Sequence, residues 1–337
     1  MTKFLRKLYR QFYRSQGWLL VTLLAVVLGF LAGFIDVAVD FLADTRFGYC
    51  RKGVFLSRKL CCQEVEAGEC PNWETWGEAI GAESEWGIYI INYAVYILLA
   101  GIFAGLAAWY VKSLAKWAAG SGIPEVKTIL GGFVILKFNS WQTLFVKVPG
   151  LVLSVASGLN LGKEGPLVHV SCCVCEVVSH AFPKYKGNQA KLREMFSAAA
   201  AAGVSVAFGA PIGGVLFSLE EVSYYFPHKT MWRAFFCASV AAVTLQLMDP
   251  FHNGKLIIFQ VAYTHTYMLF EFIPFIFIAV LSGVLGAFFI RMNLHICRFR
   301  RANIAAWSIT EAISEFPVVY RYLLTFIISC CDVYGVH

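Results

Sequence analysis

Apolar positions dominate this chain in long runs separated by short polar clusters. The first run spans Trp18 to Leu42 and is interrupted near its far end by Asp36 and Asp40. A polar, cysteine-bearing and mostly acidic segment follows over 43–86, then a second run from Ile88 to Val111. Beyond it the pattern turns irregular. Short apolar pieces are broken by Gly and Pro at 120–124, 131–132, 149–150, 158–166 and 209–214. Further spans are predicted near 191–207, 232–248 and 270–290, with a last apolar piece at 317–331. Runs of about 20 apolar residues cross a bilayer as helices. The breaks carry more information than the runs. Lipid cannot satisfy free backbone N–H and C=O groups, so a broken helix survives in a membrane only where it lines a protein-walled cavity. Discontinuous helices whose N-termini aim at a midplane site are a transporter device.

Composition agrees. Of 337 residues, 58% are hydrophobic and 15% charged, and the mean hydropathy is +0.64. Soluble chains are nearer about half apolar and about a quarter charged, which leaves no room for a soluble domain of any size. The net charge of +7 does not indicate nucleic acid, because Lys and Arg sit in short clusters between apolar runs, as topology signals do.

Residues 2–14 mix Lys3, Arg6, Lys7, Arg10 and Arg14 with Phe4, Leu5, Leu8, Tyr9, Phe12 and Tyr13. This predicts a cytosolic, basic amphipathic N-terminus over 1–16, lying on the membrane face. The run after it is too long for a signal peptide. With the N-terminus cytosolic, the clusters Lys184/Lys186/Lys191/Arg193, Lys229/Arg233 and Arg291/Arg298/Arg300/Arg301 fall on the cytosolic side. The 43–86 loop and the 250–268 segment then face the lumen or the outside. The membrane domain is expected over 17–331, with a short tail at 332–337.

Four cysteines, Cys50, Cys61, Cys62 and Cys70, share the 43–86 loop. An oxidising lumen would join them in at least one disulfide, with a pairing that sequence does not give. Cys172, Cys173 and Cys175 lie inside a hydrophobic run with no second ligand pair, and read as buried small residues, not a metal site.

Three Gly-Pro motifs carry the chemistry: Gly120-Ser121-Gly122-Ile123-Pro124-Glu125, Gly162-Lys163-Glu164-Gly165-Pro166, and Gly209-Ala210-Pro211-Ile212-Gly213-Gly214 leading to Glu220-Glu221. Each places Gly before a Pro that can open a helix, where its missing N–H costs nothing. A helix N-terminus offers unpaired N–H donors and about half a positive charge. Two such ends meeting in a membrane bind an anion without a full opposite charge, so the anion can also leave. Ser121 adds a hydroxyl donor. A P-loop is excluded, since no Ser or Thr follows Lys163. Glu164 is a carboxylate in an apolar stretch, costly by about 2.5–3.5 kcal/mol and therefore functional by default. Ionised, it competes with an anion for the same donors; protonated, it withdraws. Glu221 reads as a second buried acid, at the end of an apolar helix, and Glu220 as a maker of structural hydrogen bonds. No nucleophile–base pair or metal cluster argues for an enzyme, and no motif asks for a cofactor.

The segments GSGIPE, GKEGP and GAPIGGVLFSLEE, in this order, resemble the signature motifs of the CLC family of voltage-gated chloride channels and chloride/proton antiporters. The likeness runs from Gly17-Trp18-Leu19-Leu20 to about Arg301, and Ser197–Pro227 is similar to the animal and fungal endosomal branch. It implies an all-α integral membrane fold of two inverted repeats with broken helices, the first repeat and the start of the second being present here. It implies a homodimer in the lipid bilayer with a pore in each subunit, carrying chloride and protons across endosomal or Golgi membranes. By resemblance, Ser121, Gly122, Ile123, Glu164 and Gly165 bind the anion, and Ser at 121 goes with chloride over nitrate. Glu164 matches the gating glutamate. Glu221 matches the internal proton-transfer glutamate, which antiporters carry and pure channels usually lack. The family's second repeat adds a Gly-x-Phe-x-Pro helix start and an anion-binding Tyr, followed by two CBS domains. None is found past Arg301, so this chain is expected to hold half an anion site and not to transport alone. The alternatives are a passive chloride channel and a truncated, non-transporting subunit that pairs with full-length partners.

Overall fold

The computed structural model describes residues 3–53, 55–62, 70–159, 161–223, 226–248 and 268–302, with side chains described from residue 11 to residue 299, apart from residue 14. The expected segments at 250–268 and 332–337 and the apolar piece at 317–331 lie essentially outside the described residues. The chain divides into two units, Met1–Ile258 and Phe259–His337.

The first unit begins with α1 (Lys3–Thr45), one unbroken helix of 43 residues. The basic stretch from Lys3 onward and the first apolar run thus share one helix. Leu20, Val21, Leu24, Ala25, Leu28, Ala32 and Ile35 recur at helical spacing, and all are buried. Trp18, Leu19, Leu23, Phe30 and Phe34 occupy the opposite face and are exposed. The buried stripe meets α10 (His228–Met248). A β-carbon on Gly29 would stand 2.6 Å from Thr244 Cβ, and Gly33 lies against the Met248 thioether. Small residues let two membrane helices approach where lipid gives no hydrophobic drive to associate.

Between α1 and α4 lies a stapled hairpin. Strands β1 (Gly48–Cys50) and β2 (Trp73–Thr75) pair antiparallel, flanked by the short helices α2 (Arg58–Cys61) and α3 (Trp76–Ala79). Disulfides join Cys50 to Cys61 and Cys62 to Cys70, so the expected bridge is present twice. Arg51 grips Glu74 through two bonds of 2.7 Å, and Tyr49 donates to the same carboxylate at 2.9 Å. The indole of Trp76 donates to the Thr45 carbonyl, and the Gly77 amide donates to Asn92 on α4 at 2.7 Å.

Helix α4 (Glu85–Leu114) is apolar on every side and is capped by Ser84, which accepts from the Gly87 amide. A 3-10 turn (Lys116–Ala118) and a glycine loop lead to α5 (Ile123–Leu130). The sequence predicts a break at 149–150, yet α6 (Trp141–Ala156) runs through Pro149. Proline removes one ladder bond, and neighbouring helices in a membrane protein tolerate that loss. Gly150 next to it brings Val111 of α4 to 3.0 Å from where a β-carbon would stand. The Pro-Gly pair marks a close helix crossing.

Helices α7 (Glu164–Ser179) and α8 (Gln189–Phe208) form the centre of this unit. Every residue of α8 from Met195 to Ala207 is buried. The span expected near 191–207 is this Ala-rich hub; among the described residues, the helices long and apolar enough to cross a membrane are Ser15–Thr45, Glu85–Leu114, His228–Met248 and Leu269–Phe299. Cys172, Cys173 and Cys175 are buried in α7, as read from their neighbours. Helix α9 (Pro211–Phe217) ends in a π-helical turn (Ser218–Val222). Gly214 of the third motif rests on the Ala201 carbonyl of α8, so that motif serves close packing between helices. In the second unit, a 3-10 turn (Leu269–Glu271) opens α11 (Phe272–Ala302).

Candidate functional site

The first two Gly-Pro motifs converge. Gly120 (φ 73°) and Gly122 (φ 85°) both adopt left-handed backbone, which glycine enters without a β-carbon penalty. They turn the chain so that α5 starts at Ile123 with Pro124 in its first turn. Helix α7 starts at Glu164, which puts Gly165 and Pro166 in its first turn. A β-carbon on Gly165 would strike the Ser121 hydroxyl and stand 3.6 Å from Ile123 Cδ1. Ser121, Ile123 and Gly165 therefore meet where two helix N-termini come together. First-turn N–H groups have no partner within their own helix, so this junction gathers neutral donors and two positive dipole ends.

The loop is fixed from behind. Lys147 of α6, 2% exposed, donates to the Gly120 carbonyl at 2.7 Å and to the Ala118 carbonyl at 3.2 Å. Beneath Gly122 lies the ring of His169 from α7, so close that a β-carbon would stand 2.7 Å from it. His169 stacks on Phe138 with centroids 3.9 Å apart, and its Nε2 donates to the Phe138 carbonyl at 3.1 Å. Bonding to a carbonyl places the ring proton on Nε2.

Glu164 folds back over Gly162, where a β-carbon would meet its carboxylate. The preceding residue, Lys163, forms an ion pair with Asp36 of α1. Asp36 is 4% exposed. The gating candidate is thus not a lone charge: a buried anion and a cation stand beside it.

Glu221 departs from the sequence reading. It is 56% exposed and paired with Lys127 of α5 at 2.9 Å. It sits on the π-helical turn, of which Ser218 and Val222 are the buried residues. Val222 takes the buried position, and Ser218 and Ser223 bind Ser197 of α8 at 2.8 and 2.6 Å. Glu220 is exposed too, and among the described residues its carboxylate makes no side-chain hydrogen bond of the structural kind expected of it. Three residues of this region, Asp36, Lys147 and His169, were not singled out as site residues from sequence. The signal for the first two was there: each is a charge inside an apolar run.

Comparison with known proteins places this geometry. A family model described as voltage gated chloride channel matches residues 100–334. An H(+)/Cl(-) exchange transporter 3 of Pongo abelii is 54% identical over 294 residues, covering 85% of this chain and 37% of the relative. An H(+)/Cl(-) exchange transporter 5 of Cavia porcellus is 48% identical over 316 residues, covering 92% of this chain and 41% of the relative. The chain thus spans less than half the length of these curated relatives. The crystal structure of a eukaryotic CLC transporter matches with a TM-score of 0.61 at 24% identity, over 94% of this chain and 48% of that one, which speaks for the fold. With the broken helices, the paired Gly-Pro helix starts and most of the length matched, the chain belongs to the voltage-gated chloride channel family.

Proposed function

We propose that this chain forms part of a chloride/proton exchanger, with the anion held where α5 and α7 begin. The observation that carries this reading is the meeting of Ser121 and Ile123 with Gly165 at two converging helix N-termini. The Ser121 hydroxyl, the amide of Gly122 and the first-turn amides of Ile123 and Gly165 supply neutral donors suited to a monovalent anion that must bind and leave. Glu164, the first residue of α7, is the gate: ionised it takes those donors, and protonated it yields them. Glu221 is the proton-transfer acid on the cytosolic side. The names of the relatives favour exchange over a passive channel, and transport over catalysis.

The finer setting belongs to the same proposal. The protein acts as a homodimer in endosomal or Golgi membranes, with a cytosolic N-terminus over 1–16, a membrane domain over 17–331 and the 43–86 loop in the lumen. The test is Glu164→Ala in a full-length exchanger carrying this segment, reconstituted in liposomes. Chloride flux should persist and proton coupling should vanish. Proton-coupled uptake that survives would remove Glu164 from the gate. Glu221→Gln should lose proton movement and keep anion flux.

A further inference from the structure

Helix α5 carries two things at once. Its first residue, Ile123, belongs to the proposed anion junction, and its fifth, Lys127, holds Glu221 at 2.9 Å. Four residues of α-helix rise about 6 Å, so the lysine is rooted one turn from the junction on the same short helix. Nothing in the Gly-Pro motifs requires a lysine there.

The pair is local and specific. The elements packed on the π-helical turn are α5, α8 and α9. Their charged residues are Glu125 and Lys127 on α5 and Lys191, Arg193 and Glu194 on α8; α9 has none. Arg193 donates to the Gly132 carbonyl, and Glu194 faces Arg233. Glu220 shares the turn with Glu221 and is exposed. Lys127 is the residue bonded to the Glu221 carboxylate. Lys127 is 42% exposed and Glu221 56%. An ion pair this open is weak and breaks readily, which suits an acid that must alternate between two partners.

We propose that Lys127 is a positioning residue for the proton path: it turns the Glu221 carboxylate toward α5, the helix that begins at the anion site, and releases it when the acid takes a proton. Loading a proton on Glu221 removes the negative charge that holds the pair. The freed ammonium then adds an uncompensated charge on the helix that starts at the anion junction. Proton arrival and anion occupancy are linked through a single short helix. This inference rests on Glu221 being the proton-transfer acid.

The experiment compares Lys127→Met, Lys127→Arg, Glu221→Gln and the Lys127→Met/Glu221→Gln double variant in a full-length exchanger carrying this segment. Chloride and proton fluxes are measured together in proteoliposomes. Lys127→Met should lower proton flux about three- to fivefold, the scale of an exposed ion pair, and lower chloride flux less than twofold, so the ratio of protons to chloride falls. Lys127→Arg should restore the ratio. Adding Lys127→Met to Glu221→Gln should change nothing further. An unaltered ratio in correctly assembled Lys127→Met overturns the inference, as does equal loss of both fluxes or a further change in the double variant. Undiminished proton flux in Glu221→Gln alone overturns instead the assignment of Glu221 on which the inference rests.

Discussion

The Lys147 ammonium, buried in α6, donates to the Gly120 carbonyl at 2.7 Å and to the Ala118 carbonyl at 3.2 Å. One cation therefore holds the loop that delivers Ser121. Lys147→Met keeps the bulk and strands the buried Ala118 carbonyl, a cost of about 1–3 kcal/mol, while the Gly120 carbonyl loses its donor nearer the surface. Thermal unfolding in detergent should show that loss, and added chloride should protect the variant less than wild type. Unfolding and chloride protection both equal to wild type would remove Lys147 from this role.

Gly165→Ala should disturb the junction by sterics alone. The new β-carbon meets the Ser121 hydroxyl, and overpacking costs about 1–3 kcal/mol. Relative chloride and nitrate permeability should shift in the single variant. Ser121→Gly added to Gly165→Ala removes the collision, so stability should return while the selectivity change remains. Failure of the double variant to regain stability would place the strain elsewhere.

Asp36→Asn should be costly for a residue outside the motifs. It takes away the anionic partner of Lys163, which is only 20% exposed. Breaking a buried pair costs about 3–5 kcal/mol, and this one should cost about 2–4 because Lys163 keeps some solvent. Asp36→Asn with Lys163→Gln should recover part of the loss. Denaturation in detergent reads both, and equal stability of Asp36→Asn and wild type would contradict the geometry.

Alkylation without reductant should label none of Cys50, Cys61, Cys62 and Cys70, which form two bridges. Cys172, Cys173, Cys175 and Cys237 are free and buried, and should react only after denaturation. By chain entropy, bridges closing loops of this length contribute about 2.5–3 kcal/mol each. Mass spectrometry decides, and an alkylated loop cysteine in the native protein would count against the pairing.

The hairpin should withstand an acidic compartment. Bonds from Arg51 and then Tyr49 pull the Glu74 carboxyl down from 4.5 to about 2. A group whose folded value lies below its unfolded one stabilises fully above the unfolded value and loses that contribution as pH falls toward the folded one. The window is therefore about pH 4.5 down to about 2. Hydrogen exchange at Gly48–Cys50 and Trp73–Thr75, corrected for intrinsic rates, should match at pH 7 and pH 5 and rise below about 4. Glu74→Gln should abolish that dependence; its persistence would point to another acid.

Much of the fold was legible along the chain. The runs at Trp18–Leu42 and Ile88–Val111 mark α1 and α4 because lipid exposure demands continuous apolar surface. The breaks at 120–124 and 158–166 mark the junction because Gly and Pro act locally on the backbone. The break at 209–214 is present too, with α8 ending at left-handed Gly209 and α9 opening at Pro211, but Gly214 beyond it serves contact with α8. The same local signal misled at Pro149, where α6 continues. A glycine that frees a turn and one that admits a neighbour look alike in sequence.

The sequence by itself determined that these helices lie in a membrane and that Ser121, Glu164 and Gly165 belong to helix starts, since hydropathy and backbone preference are properties of neighbours in the chain. Tertiary structure alone decided who stands beside them. Asp36 reaches Lys163 across 127 positions, and Lys127 reaches Glu221 across 94. A charge pair between distant segments leaves no local trace, because its energy depends on a separation in space that only folding sets. For the same reason Glu221, read as buried from its apolar neighbours in the chain, stands open beside Lys127: burial depends on which segments pack over a residue, and that is set only in space.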